Sequence, residues 1–406
     1  MNPAPVEIEF SLGLLLVCVL LVPLAIAGLA LINTGLGRSR SAAHAMTMSL
    51  CAVAVAILAY FFFGFRVQEN HSGFLLPRGM LDSFAGAAVL FGCLGAALAS
   101  LIPLGATADR WRLGPALVST LILAGFTYPV FPRLISAVLF LGPGYNALLD
   151  RGGSGFINVT AGLSALSIAW LLGPRHGKYS PNGMPAAIPA HNGVFVLFGC
   201  MLAWVGWLGL NSAGAILYDG GRGTPVAPSA LAMINTTFAA CAAALASAAT
   251  TRIRFRRPDA SLIANGWMAG LVASSAGCAT LKPATAILTG IVAGVMVVLS
   301  VELFELYLKV DDPCGSVSVH GVAGLWGLFA AGVFSGSLAQ FMAQLVGIAT
   351  LLGLIFPVTY GLNWLLSRFL PYRISIDGER QGLDLHELGA DAYPEFVVHA
   401  DEFLQR

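Results

Sequence analysis

The stretch Asp312-Pro-Cys-Gly-Ser-Val-Ser-Val-His320-Gly-Val-Ala-Gly-Leu325 decides the fold of this chain, because its pattern is written twice. The earlier copy, Asp150-Arg-Gly-Gly-Ser-Gly-Phe-Ile-Asn158-Val-Thr-Ala-Gly-Leu163, lies 162 residues before it. Both copies hold Asp, Gly-Ser, a His or Asn, and Ala-Gly-Leu at the same spacing, and both open a long apolar run. An ionisable side chain inside such a run indicates function, because polar groups are costly in hydrocarbon.

The composition of the 406 residues is typical of a polytopic membrane protein. Apolar residues make up 57% of the chain, charged residues 10%, and the mean hydropathy is +0.81, which excludes a soluble surface. About 20 apolar residues cross ~30 Å of hydrocarbon as a helix. We therefore expect an all-α fold with eleven transmembrane helices, at residues 10–33, 43–64, 83–105, 113–132, 155–173, 192–212, 227–249, 261–277, 283–304, 318–336 and 340–367.

The two copies begin the fifth and the tenth spans, so the repeat unit is five helices. Because five is odd, the two repeats, about 10–173 and 192–336, must be inverted, with the substrate path at their interface. The long final helix lies outside the repeats. We expect a membrane domain over residues 1–370 and a cytoplasmic tail over residues 371–406.

The basic residues predict the orientation. On one side of the predicted spans lie 15 of the 21 Lys and Arg residues, which predicts N-out/C-in topology in a bacterial-type inner membrane, with the C-terminus cytoplasmic. The cluster from Arg252 to Arg257 is interpreted as part of this signal, and no nucleic-acid partner is expected. The cysteines and histidines show no metal-type spacing, so we expect no metal and no cofactor.

Further motifs are spread over most of the chain in a consistent order: Gly105-Ala-Thr-Ala-Asp-Arg110, Trp204-Val-Gly-Trp-Leu-Gly-Leu-Asn211, Asp311 to Trp326, Gly382-Leu-Asp-Leu385 and Ala392-Tyr-Pro394. With them the chain resembles the ammonium transporter (Amt/Mep/Rh) family, and its Amt branch more closely than its Rh branch. The resemblance implies a non-enzymatic membrane protein, a homotrimer of eleven-span protomers, each with a narrow pore for ammonium or ammonia. Such a pore has an aromatic vestibule for the cation, a phenylalanine gate and two histidines, which suits ammonium because rings attract cations and imidazoles relay protons.

Carrying the family's functional positions over to this chain gives an uneven result. The second pore histidine is His320, but the first falls on Asn158, which cannot carry a proton near neutral pH. The gating phenylalanine falls on Gly95 and its stacking partner on Leu210. The vestibule tryptophan falls near Ser136 and the vestibule serine on Gly214. The resemblance therefore implies a divergent member with a degenerate pore.

Each singled-out residue also has a structural interpretation. His320 and Asn158 are either a substrate-contacting dyad or a buried pair that joins the two halves. Asp150 and Asp312 are interpreted as caps of helix starts, with cation attraction as the alternative for Asp150. Trp207 is either a pore aromatic or a packing residue.

Three functions follow as hypotheses. The first is an ammonium-responsive sensor or transducer with altered, weak or absent conduction, whose tail contacts a fused signalling domain or a separate regulatory protein. The second is a functional ammonium channel with a non-standard pore. The third is a regulatory subunit of a mixed trimer.

Overall fold

The computed structural model describes residues 5–69, 84–141, 147–218 and 226–393, and over these ranges the chain is helical without a β-strand. Ten of the described helices are long and apolar enough to cross a membrane, which confirms the predicted all-α polytopic membrane fold. They are α1 (Ser11–Leu36), α2 (Ser39–Glu69), α3 (Phe84–Ala106), α4 (Leu113–Val138), α5 (Ser154–Leu172), α6 (Gly193–Tyr218), α7 (Ala227–Phe255), α9 (Pro283–Tyr307), α10 (Val317–Phe334) and α11 (Leu338–Phe369).

The span predicted at 261–277 forms a shorter helix, α8 (Ala260–Ser275), of 16 residues. Its first amides are capped by Asp259, whose carboxylate accepts the Leu262 N–H. From residue 264 onward almost all of its side chains are buried, and it packs between α7 and α9. A helix enclosed by protein does not need the full hydrocarbon thickness, so its length differs from that of the other ten.

The first helices of the two halves, α1 and α6, pack backbone to backbone. A Cβ placed on Gly206 would collide with the backbone of Ala25, and one placed on Gly28 would collide with the backbone of Gly199 and Ala203. Small residues at a helix crossing are typical of membrane bundles, where close van der Waals packing drives association.

Helices α5 and α10 run in opposite directions, as inverted repeats require. Helix α5 starts where the Arg151 N–H donates to the Ala276 carbonyl, and it ends at Gly173, whose carbonyl accepts the Arg110 side chain. Helix α10 starts beside Asp311, which also contacts Arg110, and its end at Ser335 lines a surface cavity together with Arg151. We call the two ends of the bundle the Arg151 face and the tail face, the latter being where residues 371–393 pack.

The starts of α5 and α10 share an unusual geometry. Their first turns, Ser154–Val159 and Val317–Val322, are π-helical, a form often found at functional sites. Each follows a glycine with positive φ, Gly153 at +83° and Gly315 at +68°, a conformation that side chains disfavour. The duplicated sequence therefore encodes a duplicated helix start.

The described part of the tail packs under the tail face as two short helices, α12 (Ile376–Gln381) and α13 (Asp384–Leu388). The remaining residues of the predicted tail, 394–406, lie outside the described residues.

Candidate functional site

The two predicted pore residues meet at the interface of the halves. His320 Nδ1 lies 2.8 Å from Asn158 Oδ1, and both residues are buried. The Asn158 amide donates to the Gly153 carbonyl at 2.9 Å, so its oxygen faces the imidazole. Because that oxygen only accepts, His320 must donate from Nδ1, which leaves Nε2 as an acceptor in the neutral ring. The pair therefore presents one hydrogen-bond acceptor.

A small cavity of about 10 Å³ lies beside His320, with room for about one water. Its polar lining includes Asn33, Asn265 and Ser316, and its apolar lining includes Val319. A single small hydrogen-bond donor fits this space, and ammonia and water are of that size.

A second, much larger cavity of about 400 Å³ opens near the start of α5, and we call it the aromatic cavity. Four polar side chains line it: Gln68, Glu69, Asp150 and Arg151. Six aromatic side chains make up much of its wall, namely Tyr60, Phe84, Phe91, Tyr128, Phe156 and Tyr218. Aromatic faces beside carboxylates are the chemistry that recognises ammonium-type cations.

Two tyrosines close the inner end of the aromatic cavity. The rings of Tyr60 and Tyr128 are buried and meet edge to face, with their centroids 5.7 Å apart. The Tyr128 hydroxyl lies only 2.6 Å from where a Cβ on Gly95 would be, and the Tyr60 hydroxyl would collide with a Cβ on Gly92. The space beside the predicted gate position Gly95 is therefore filled by tyrosine from α4.

Asp150 lies between the aromatic cavity and the start of α5. Its Oδ2 accepts the N–H groups of Gly155 and Phe156 at 2.9 and 2.8 Å, whereas its buried Oδ1 has no partner. Burial raises the pKa of this carboxyl to about 6, although the amides oppose the shift.

Asp312 repeats this arrangement at the start of α10. It accepts the Val317 N–H at 2.7 Å, its Oδ1 has no partner, and burial raises its pKa to about 6. Both aspartates thus hold the amides of a helix start.

The other predicted site residues fall in different places. Gly214 lines the aromatic cavity. Leu210 and Trp207 are fully buried and line neither cavity; the Trp207 indole donates to Ser275 Oγ at 3.1 Å. Ser136 is exposed on α4, where its hydroxyl donates to the Pro132 carbonyl.

Sequence reasoning missed the residues that form most of the aromatic cavity, above all Tyr60 and Glu69. The run Tyr60-Phe-Phe-Phe63 was a usable signal, since four consecutive aromatics cannot all face lipid on one helix. Glu69, at the end of the same helix, gave no signal of its own.

The tail face holds a buried cluster of charges. Arg175 donates to both oxygens of Asp311 at 2.9 and 3.0 Å and to Asp109 at 3.0 Å. Burial alone would raise the pKa of Asp311, but the guanidinium groups of Arg110 and Arg175 hold it well below its usual range. The cluster joins three loops from both halves of the chain.

Carboxylates of the tail contact the starts of two membrane helices. Asp384 accepts the N–H groups of Ala43 and His44 at 3.1 and 2.7 Å, at the beginning of α2. Glu387 accepts the Leu113 N–H at 2.9 Å at the beginning of α4 and contacts the His44 ring at 2.7 Å. Negative groups stabilise helix N-termini, so the tail is held by charge as well as by hydrogen bonds.

Within residues 5–69, 84–141, 147–218 and 226–393, no three His, Cys, Asp or Glu side chains are grouped as metal ligands.

Comparisons with known proteins agree with this architecture. The chain is similar to the ammonium transporter Amt2 of Archaeoglobus fulgidus, at 32% identity over 335 residues, 76% of this chain and 70% of that protein. It is 33% identical to the ammonium transporter Amt1 of Methanocaldococcus jannaschii over 334 residues, 79% of this chain and 80% of that protein. These names describe transporters and not enzymes.

Solved structures show the same fold. A sensor Amt protein superposes with a TM-score of 0.85 at 23% identity, over 94% of this chain and 99% of that one. Mep2 of Candida albicans gives 0.77 at 23% identity, over 95% of this chain and 90% of that one. The model of the Ammonium Transporter Family matches residues 13–393. The chain therefore belongs to the ammonium transporter family.

Proposed function

We propose that this protein recognises ammonium in the membrane, conducts it weakly or not at all, and transmits its binding state to the tail. The observation that carries the proposal is the closure by Tyr60 and Tyr128 at the inner end of the aromatic cavity. The aromatic cavity is lined by Tyr60, Tyr128 and Ile157 and the small cavity by His320, and the two cavities share no lining residue. Ions cross a protein only where the path stays open to water or where the lining replaces their hydration shell.

The buried pair supports the same conclusion. Asn158 has no titratable group, so no proton passes along the pair from His320. His320 Nε2 remains able to accept a hydrogen bond from a small donor, which is enough for recognition and not enough for relay.

The tail contacts support transmission. Helix α2 runs from the Asp384 contact at one end to Tyr60 and Glu69 near the other, so one element touches both the tail and the aromatic cavity. We propose further that residues 1–370 form the membrane domain of a homotrimer, that the tail lies in the cytoplasm of a bacterial-type cell, and that it contacts a signalling domain or regulatory protein.

The second candidate is a functional channel with a non-standard pore. The acceptor on His320 and the small cavity beside it favour this alternative, because together they offer a buried site for one small hydrogen-bond donor such as ammonia. A regulatory subunit of a mixed trimer is a variant of the first proposal with the same closed path.

The deciding experiment measures methylammonium uptake into proteoliposomes that contain the purified protein, beside the same amount of the Archaeoglobus fulgidus relative. We expect uptake close to that of empty vesicles. In parallel, limited proteolysis of the tail is compared with and without ammonium, with sodium chloride as the matched control, and we expect ammonium to change the cleavage rate.

Robust uptake that is lost in His320→Ala contradicts the proposal and favours the channel. Absent uptake with a tail whose cleavage is indifferent to ammonium contradicts the sensing part alone.

A further inference from the structure

We infer that the aromatic cavity takes an organic ammonium cation with several carbon atoms, such as a trimethylated amine, in preference to ammonium itself. This inference deepens the proposed function and rests on it, because it concerns the cavity that recognises the cation.

The first reason is size. Ammonium is about as large as water, whose share of liquid volume is about 30 Å³. The aromatic cavity measures about 400 Å³, within the range of about 300–1,000 Å³ found for small-molecule sites. Ammonium alone would leave most of this space to water and most of the rings without contact.

The second reason is the character of the wall. Phe84, Phe91 and Phe156 present rings without polar atoms, and Leu217 adds an alkyl surface. Such a wall gains free energy by covering alkyl groups, at about 25 cal/mol per Å² of apolar surface removed from water. Ammonium has no alkyl surface to offer, whereas methylated amines do.

The third reason is the polar end of the cavity. Asp150 is 3% exposed and lines the cavity, yet its Oδ1 has no hydrogen-bond partner. That oxygen is covered by protein atoms, so the carboxylate acts on a cation in the cavity through its charge, which is weakly screened in a buried site. The rings of Tyr60 and Tyr128 line the same end, so a cationic head finds a carboxylate and aromatic groups together.

Glu69 supplies a second negative charge at the mouth. A chain of hydrogen bonds holds it in place: the Tyr60 hydroxyl donates to Gln68 Oε1 at 3.0 Å, and the Gln68 amide donates to Glu69 at 3.3 Å. Arg151 also lines the cavity, but its guanidinium lies over the Tyr218 ring, 4.6 Å from the centroid. The three charged groups leave a net charge of one negative unit when both carboxyls are ionised, which favours a cation over an anion.

The test titrates the purified full-length protein with three probes by calorimetry at pH 7.5 and constant ionic strength. The probes are choline, ammonium chloride and 3,3-dimethylbutan-1-ol, which has the shape of choline without its charge. We expect choline to bind at least about tenfold more tightly than either of the others, a difference of about 1.4 kcal/mol.

Two substitutions locate the binding. Glu69→Gln keeps the side chain's shape on an exposed residue and should weaken choline binding severalfold. Ala88→Phe places a ring into the cavity and should abolish choline binding. Glu302→Gln, which removes a carboxylate that pairs with Arg254 and does not line the cavity, is the matched control and should bind choline as the wild type does.

Equal binding of choline and the neutral alcohol overturns the inference, since the cavity would then recognise only shape. Ammonium binding more tightly than choline also overturns it, while the proposed function stands. Choline binding that survives Ala88→Phe places the site elsewhere and overturns the assignment. If choline binds as expected and ammonium leaves tail cleavage unchanged, the proposed function fails and the ligand class stands.

Discussion

The two copies of the duplicated segment, 150–163 and 312–325, share their backbone and differ in their surroundings. Both begin with a buried aspartate that accepts helix-start amides, and both turn through a positive-φ glycine into a π-helical turn. The first copy borders a cavity of about 400 Å³ and carries Asn158; the second borders one of about 10 Å³ and carries His320. The two helix starts thus share one backbone geometry. They differ in the side chain at the central position, Asn158 or His320, and in the size of the cavity beside it.

The largest expected effect on stability comes from the residue directly before each aspartate, where the two copies differ. The second copy has Asp311, which pairs with buried Arg175, whereas the first copy has Leu149, which packs among apolar side chains. Asp311→Asn removes one of the two carboxylates that the buried Arg175 guanidinium contacts, and should lower the free energy of unfolding by about 3 kcal/mol. Thermal melting in detergent at pH 7 measures the loss.

Glu302→Gln, which breaks the more exposed pair with Arg254, serves as the control for that experiment and should leave the melting temperature nearly unchanged. An Asp311→Asn variant as stable as this control would mean that the ion pair between Asp311 and Arg175 does not stabilise the folded protein.

The next difference lies where the two helices cross. A Cβ on Gly162 would collide with the backbone of Gly321, whereas a Cβ on the matched Gly324 would lie 2.7 Å from a methyl of Val159 and 2.9 Å from the Ser154 carbonyl. Gly162→Ala should therefore destabilise by about 2–3 kcal/mol, and Gly324→Ala by less, because the nearest backbone atom is 2.9 Å from the Cβ at Gly324 and 2.4 Å from the Cβ at Gly162. Equal melting temperatures of the two variants would contradict this asymmetry.

The two aspartates themselves should behave alike. The pKa of each is about 6 in the folded protein against 3.8 ordinarily, so the folded state holds a proton that the unfolded state has released. Stability should then fall as pH rises through this window, by about 1 kcal/mol per aspartate between pH 5 and 7. Asp311, whose pKa is lowered, has the opposite sign and loses its contribution only as pH falls below its usual value.

Melting curves of wild type, Asp150→Asn and Asp312→Asn across pH 5–7 measure this effect, and each variant should show a shallower slope than the wild type. Unchanged slopes in both variants would show that neither carboxyl titrates there.

The smallest effect is expected from Asn158→His, which makes the two copies alike at their central residue. If Tyr60 and Tyr128 close the path as proposed, they still do so in this variant, and methylammonium uptake should change by less than about twofold. Asn158→His combined with Tyr128→Ala should raise uptake more than either change alone. Full uptake in the single variant would show that the missing imidazole, and not the tyrosines, limits conduction.

Much of the fold could be predicted because membrane spans and a duplicated motif are local patterns. Apolar length located the ten long helices, and the repeat predicted that Asn158 and His320 belong to matched positions in opposite halves. The short helix α8 was expected to be a full span, since sequence alone does not show that neighbours enclose it.

The aromatic cavity could not be predicted in the same way. Gly92 and Gly95 indicate only that something approaches α3, and the tyrosines that do so come from α2 and α4, distant in sequence. The same holds for Arg175, whose partners Asp109 and Asp311 lie in two other loops. Such contacts depend on how helices pack, which local periodicity does not specify.

Asp384 belongs to the tail, yet its carboxylate accepts hydrogen bonds from backbone N–H groups at the beginning of helix α2. Helix α2 is 31 residues long, about 46 Å at 1.5 Å per residue, and it carries Tyr60 and Glu69 toward the Arg151 face. Coupling between two sites is reciprocal by thermodynamic necessity. Suppose that a ligand in the aromatic cavity changes the affinity of the tail for a partner by some factor. Binding of a partner that pulls the tail away from α2 must then change the affinity of the cavity for that ligand by the same factor.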